Sequence, residues 1–167
     1  MNVTIDEERP DSADAEALLA ELDACLAVLP YPAQSRHAFS VDRLVREGVA
    51  FFVTRVDGVP AGCGGLKPFG AEYAEVKRMY VRPAWRGRGL ARAMLEHLAS
   101  FAREHGAESL RLETGIYQTE AIALYERSGF RRRPPFGAYV EDPMSVYFEK
   151  SLADQARAVT SSATSPE

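Results

Sequence analysis

Only two cysteines, Cys25 and Cys63, and three histidines occur in the 167 residues, with no Cys-x-x-Cys spacing and no paired histidines, so no metal is expected and both thiols are expected to be reduced and in the core. No long apolar run is present, and the amino terminus is acidic and polar where a secretory signal would be basic and then apolar. No membrane partner and a cytoplasmic location follow as expectations. Positive charge is not in excess either: the net charge of -4 argues against a sequence-independent grip on nucleic acid, and interleaved aromatic and basic residues of the RNA-binding kind are missing. There is no internal repeat, and the length with 46% hydrophobic content suits one domain with one core.

What the chain does have is a hydrophobic segment, Val76 to Val81, running through Arg82-Pro83-Ala84-Trp85-Arg86-Gly87-Arg88-Gly89 into a helical pattern from Leu90 and Ala91. The first amides of a helix are unpaired and carry the positive end of its dipole, so an anion belongs there. Gly87 and Gly89 hold no side chain between those amides and a ligand, and Arg86, Arg88 and Arg92 add charge of phosphate-binding geometry. No Gly-Lys-Ser or Gly-Lys-Thr follows, which excludes the usual nucleoside-triphosphate loop, and the dinucleotide fingerprint lacks its third glycine.

Periodicity predicts mixed α and β structure: a short strand at Val3 to Ile5 and a helix capped by Asp11 or Ser12, with Ala15, Leu18, Leu19, Leu22 and Leu26 on one face and a stop before Pro30. A proline-rich loop leads to a short helix capped by Ser40 and ended by Gly48. Val49 to Val56 and Val59 to Leu66 form a hairpin about Asp57-Gly58, and a fourth strand spans about Tyr73 to Val81. The helix from Gly89 buries Leu90, Ala91, Met94, Leu95, Leu98 and Ala102 before Gly106, and a fifth strand covers Leu110 to Thr114, with further strands at about Arg131 to Arg133 and Ser145 to Lys150. A strand-helix-strand crossover sets strands four and five parallel, with the glycine-arginine turn at their carboxyl ends, where open α/β sheets bind ligands.

Arg86-Gly87-Arg88-Gly89-Leu90-Ala91 resembles the Arg/Gln-x-x-Gly-x-Gly/Ala signature of the GNAT superfamily of acyl-CoA-dependent N-acetyltransferases, and Ala121-Ile122-Ala123-Leu124-Tyr125-Glu126-Arg127-Ser128-Gly129-Phe130 is similar to its second signature. The resemblance covers about Val3 to Leu152. It implies a GNAT domain over 1-152, with 153-167 expected to be a disordered tail. The implied fold is α/β (α+β), a central mixed, mostly antiparallel sheet whose parallel strands four and five splay apart, flanked by helices. It also implies acetyl-CoA as acetyl donor, with its pantetheine arm on the backbone of Met79, Tyr80 and Val81 and its pyrophosphate on the amides from Gly87 through Arg88, Gly89 and Leu90 to Ala91, beside Arg86. The thioester would lie near Tyr125. Gln118 stands seven residues before Tyr125 where many members carry asparagine; it is either a pantetheine contact or a helix start.

Such chemistry needs a neutral amine, a donor to the developing oxyanion and an acid for the leaving thiolate. Tyr125 is the candidate acid, a phenol protonated at neutral pH; its alternative role is helix packing against Phe130. The Met79 amide is the candidate oxyanion donor. Glu75 and Glu113, on the two strands framing the wedge, are both candidate bases, directly or through water. Tyr31, Arg36, His37, Arg131 and Tyr139 are the candidate acceptor residues, able to hold a carboxylate beside the amine. The expected activity is acetyl transfer to the primary amine of a small molecule such as an amino acid or related metabolite, by direct attack in a ternary complex. Alternatives are a protein amino terminus or lysine as acceptor, and a non-catalytic CoA-binding module. A homodimer is left open.

Overall fold

Alternation along Ala50 to Val56 sends Phe51 and Val53 to one face of a sheet and Phe52 to the other, and each face has its own layer of helices. The computed structural model describes residues 1–37 and 39–152. The elements in order are β1 (Val3–Glu7), α1 (Ala13–Ala27), α2 (Val41–Arg46), β2 (Ala50–Val56), β3 (Val59–Phe69), β4 (Tyr73–Val81), α3 (Leu90–Glu104), β5 (Ser109–Gly115), α4 (Thr119–Arg127), β6 (Arg131–Arg133) and β7 (Ser145–Ser151), with short 3-10 turns at Ala33–Ser35 and Pro83–Trp85. The expected tail, 153-167, lies outside the described residues.

The seven strands form one sheet in the order β1-β2-β3-β4-β5-β7-β6, antiparallel throughout except for the parallel pair β4 and β5. Phe52, Leu66, Val76, Leu112 and Phe148 meet Met94 and Leu98 of α3 on one face. Phe51, Val53, Cys63 and Tyr80 meet Leu18, Leu19 and Leu22 of α1 on the other. The single-domain α/β fold expected from the sequence is the one observed.

Capping follows the side-chain chemistry. The Ser12 hydroxyl accepts from the Ala15 amide at 3.1 Å, so Ser12 and not Asp11 begins α1, and Ser40 does the same for α2 through Arg43. Two expectations need correcting. Cys25 is exposed, because it lies at the flank of the inward face in the last turn of α1, where the helix runs past its cover; Ala91 is only half-buried at the rim of α3. In addition, β3 runs past Leu66 to Phe69, because β4 pairs with it as far as Tyr73.

Gly62 lies so close to β4 that a Cβ there would sit 2.6 Å from the Tyr80 carbonyl oxygen, a backbone atom with nowhere to retreat. Gly62→Ala is therefore expected to destabilise the fold by about 3 kcal/mol or more, at the upper end of overpacking costs. Urea unfolding checks it; a variant within 0.5 kcal/mol of wild type, a size ordinary for harmless surface changes, would contradict this packing ("roughly neutral" by that measure).

Candidate active site

The segment that joins β4 to α3 is shaped by its glycines. Gly87 and Gly89 both take left-handed backbone, φ 76° and 77°, with open space where a Cβ would be, and Gly89 begins α3 with no side chain capping the helix. The uncapped amides therefore face outward. Arg86 donates from Nε to the Val81 carbonyl at 3.0 Å, bracing the segment against the strand end. Arg88 lies over the Trp85 ring, 4.9 Å from its centroid, and Arg92 reaches Glu96 one turn on at 3.4 Å. Arg86, Gly87, Arg88 and Gly89 are exposed, and Leu90 is anchored in a small core with Val56 and Ala61.

Alongside, β4 and β5 pair over only three positions, Tyr73 with Ser109, Ala74 with Leu110 and Glu75 with Arg111, and then part. The sheet splits here because β4 carries an extra residue opposite β3: Cys63 is level with Tyr80 but Gly65 with Lys77. Arg78, at φ 58°, sits in this bulge. Left-handed backbone costs a residue with a Cβ about 1–2 kcal/mol, so the surroundings must hold it. Cys63 Sγ donates to the Arg78 carbonyl at 3.4 Å, and Arg78 Nη2 donates to Asp23 Oδ1 of α1 at 2.5 Å and to the Leu19 carbonyl at 3.4 Å.

Between the parted strands, α1 and the loop after it lies a cavity of about 360 Å³. Of the sequence-derived candidates, Tyr31, Arg36, His37, Glu75, Met79, Glu113, Gln118, Tyr125 and Tyr139 line it. Arg131 does not, because it lies on the exposed edge strand β6, level with Glu149 of β7. Tyr80 points into the core under α1, its phenol pushed up to about 12 mainly by burial, and Val81 packs near Leu90.

The two carboxylates differ. Glu75 is buried, and its Oε2 accepts the Tyr139 hydroxyl at 2.7 Å and faces Lys77 Nζ at 2.9 Å. Glu113 accepts the Ser145 hydroxyl at 2.8 Å and forms no ion pair within 4.0 Å among the described residues. Burial, reinforced by the negative charge of Glu75, raises its carboxyl above the ordinary glutamate range, against the Ser145 hydrogen bond and the positive influence of His37 and Lys77.

Tyr125 is brought to the cavity by α4 and packs edge-on to Phe130, ring centroids 5.7 Å apart, and tilted against Phe148 at 5.9 Å. It is thus both a packing residue and a cavity residue. No group among the described residues hydrogen-bonds its hydroxyl. Burial, then the negative charge of Glu113, raises its pKa and keeps the phenol protonated. Gln118 precedes α4 and its Oε1 accepts the Thr114 hydroxyl at 2.7 Å.

Tyr31 fits against Gly115, where a Cβ would come within 2.0 Å of its hydroxyl, and it accepts the Tyr117 amide at 2.9 Å. Arg36 donates to the carbonyls of Leu26, Leu29 and Tyr31, finishing the exposed end of α1. His37 lies edge-on to Tyr139, centroids 5.1 Å apart.

Sequence reasoning missed Asp23, Lys77, Arg78 and Ser145. A signal was present for two of them: consecutive cations in an alternating strand would force one toward the sheet's other, apolar face, and a bulge avoids that. Asp23 and Ser145 carry no such local mark. Among the described residues no cluster could hold a metal ion, and no helix is long and apolar enough to cross a membrane.

Residues 16–130 match the model of the acetyltransferase (GNAT) family. The chain is 43% identical over 152 residues to an IAA acetyltransferase of Azospirillum brasilense, covering 90% of this chain and 99% of that one. A solved structure from Klebsiella pneumoniae, assigned as an acyl-CoA N-acyltransferase, superposes with a TM-score of 0.76 at 36% identity, covering 90% and 97%. A GNAT acetyltransferase from Elizabethkingia anophelis, solved with acetyl-CoA bound, shares the fold with a TM-score of 0.66 at 18% identity, covering 90% and 98%. By that family match and a relative so similar over nearly its whole length, the chain belongs to the acetyltransferase (GNAT) family.

Proposed function

We propose that this protein moves an acetyl group from acetyl-CoA to the primary amine of a small molecule, an amino acid or related metabolite, by direct attack in a ternary complex. The observation that carries the reading is one cavity bordered by a carboxyl, Glu113, with no cation partner and a phenol, Tyr125, with no hydrogen-bond partner among the described residues. A volume of about 360 Å³ is at the small-molecule end of ligand sites.

The residues present fit acetyl-CoA. The open space over Gly87 and Gly89 and the uncapped start of α3 suit a pyrophosphate, with Arg86 and Arg88 beside it, and the edge of β4 beyond Glu75 has no β5 partner, leaving backbone near Met79 for a pantetheine arm. Bound there, the donor would supply an acyl thioester. The Met79 amide is the assigned oxyanion donor. Arg86→Ala is expected to raise the KM for acetyl-CoA about tenfold, the effect of losing one charge-assisted hydrogen bond.

The two candidate bases differ in their surroundings, which supports different roles for them. Glu75 is engaged by Lys77 and Tyr139, which favours a positioning role for it, whereas Glu113 has a raised carboxyl and a single hydroxyl partner. Glu113 receives the amine proton and Tyr125 holds the proton for the leaving sulfur. The two are linked: once Glu113 is protonated, its negative charge no longer raises the Tyr125 pKa, so the phenol becomes the stronger acid as the sulfur departs.

Direct attack, without an acyl-enzyme, is supported by the thiols. Cys63 is buried, its pKa pushed up to about 12 by burial, and neither cysteine lines the cavity. The deciding experiment is thiol release from acetyl-CoA across amino acids, polyamines, aminoglycosides and peptides, with Arg86→Ala and Tyr125→Phe beside wild type. Release that depends on a small amine and falls in both variants supports the proposal. Release with peptides alone would favour a protein acceptor, and binding without release a CoA-binding module.

A further inference from the structure

Regular alternation would send Lys77 and Arg78 to opposite faces of β4. The bulge turns both toward α1: Lys77 Nζ lies 4.4 Å from the centroid of the Phe39 ring, in the α1-side core, and Arg78 reaches α1 itself. Two adjacent cations thus border one cavity.

They are not held alike. Lys77 is matched by a carboxylate as buried as itself, the two side chains 12% and 4% exposed. The Arg78 side chain is 8% exposed, but its one carboxylate partner, Asp23, is 60% exposed. Asp23 meets only Nη2, and the buried Nε has no acceptor among the described residues. A guanidinium offers five N–H donors in a planar fork suited to two parallel bonds to a carboxylate. Here most of that fork is unused, and the anion on it is a surface side chain free to turn into water.

We propose that Arg78 anchors an anionic group of the acceptor, a carboxylate, and that Asp23 stands in for it when no acceptor is bound. This inference rests on the reading that the cavity takes a small-molecule amine. It narrows that class to acceptors carrying a carboxylate besides the amine, the amine directed to Glu113 and an apolar body passing Leu22, Leu26 and Phe39. Arg36 is less suited to the anchor role because it already serves three carbonyl groups of the chain. Arg78 is thereby a specificity-determining residue on the acceptor side.

The test compares wild type, Asp23→Asn and Arg78→Asn, asparagine being chosen because it tolerates left-handed backbone. Two readouts are used: kcat and KM for amino acids against their methyl esters, and calorimetric binding of 3-phenylpropanoate, which has a carboxylate and an apolar body but no amine. Asp23→Asn is expected to lower the ratio of acid KM to ester KM, and the Kd of 3-phenylpropanoate, about threefold or more; Arg78→Asn is expected to raise both about tenfold or more. A merely structural brace between α1 and β4 predicts the opposite for Asp23→Asn, a fall in kcat or Tm common to acids and esters, and that result overturns the proposal. So does equal use of acids and esters by wild type. If 3-phenylpropanoate binding follows the expected pattern but no amine is turned over, the anchor stands and acetyl transfer to a small amine is what fails.

Discussion

Tyr125→Phe is expected to lower kcat by about 100-fold or more, the range that a positioned general acid supplies, while the Kd of acetyl-CoA and the Tm stay close to wild type. The separation follows from the geometry. The ring contacts with Phe130 and Phe148 belong to carbons that phenylalanine keeps, and the hydroxyl has no hydrogen-bond partner among the described residues to be orphaned by its loss. Stopped-time thiol release beside calorimetric melting measures both sides. A variant with wild-type kcat would remove Tyr125 from proton transfer and leave it as the packing residue it also is.

The second large effect is expected from Glu113→Gln, a loss of about 100-fold in kcat/KM near neutral pH, again the scale of acid–base catalysis. Glutamine keeps an oxygen to accept the Ser145 hydroxyl, so the local hydrogen bond survives. The deficit should shrink as the pH nears the acceptor amine's own pKa, where the neutral nucleophile no longer needs a base. Stability should move the other way. The Glu113 carboxyl is raised by burial, so its contribution to folding is fully present below the unfolded value near 4.5 and is lost as the pH rises through the folded value. Gln does not titrate, and the Tm of Glu113→Gln relative to wild type should therefore increase as the pH is taken upward from 4.5. A deficit constant with pH would argue that Glu113 shapes the cavity without carrying the proton.

The backbone plan was legible because each of its devices is local. Ser12, Ser40, Asp57-Gly58 and Gly106 mark ends and turns through their own chemistry, and the alternation Phe51-Phe52-Val53 declares a strand covered on both faces. The glycine-arginine turn before α3 was equally readable, since its glycines and the helix start are contiguous in the chain. The acceptor side was not. Which of Glu75 and Glu113 is left without a cation depends on Lys77, Tyr139 and Ser145, and where Arg36 donates depends on how α1 ends. Those partners come from separate elements, and only the packing of loops on the sheet brings them together. Cys25 shows the same limit on a smaller scale: cysteine is a residue type usually found inside and position 25 is nearly in phase with the buried Leu18, yet it comes at the end of α1, where cover depends on other elements.

Because β4 and β5 share only three rungs, what holds the half made of β1 to β4 to the half made of β5, β7 and β6 is chiefly the common core under α3, where Val76 of one and Leu112 of the other meet the same helix. The same helix is also the covalent link, following the last strand of one half and leading into the first of the other. The seam ends before the bulge at Arg78, so its length fixes how much of the β4 backbone is left as an open edge inside an otherwise continuous sheet.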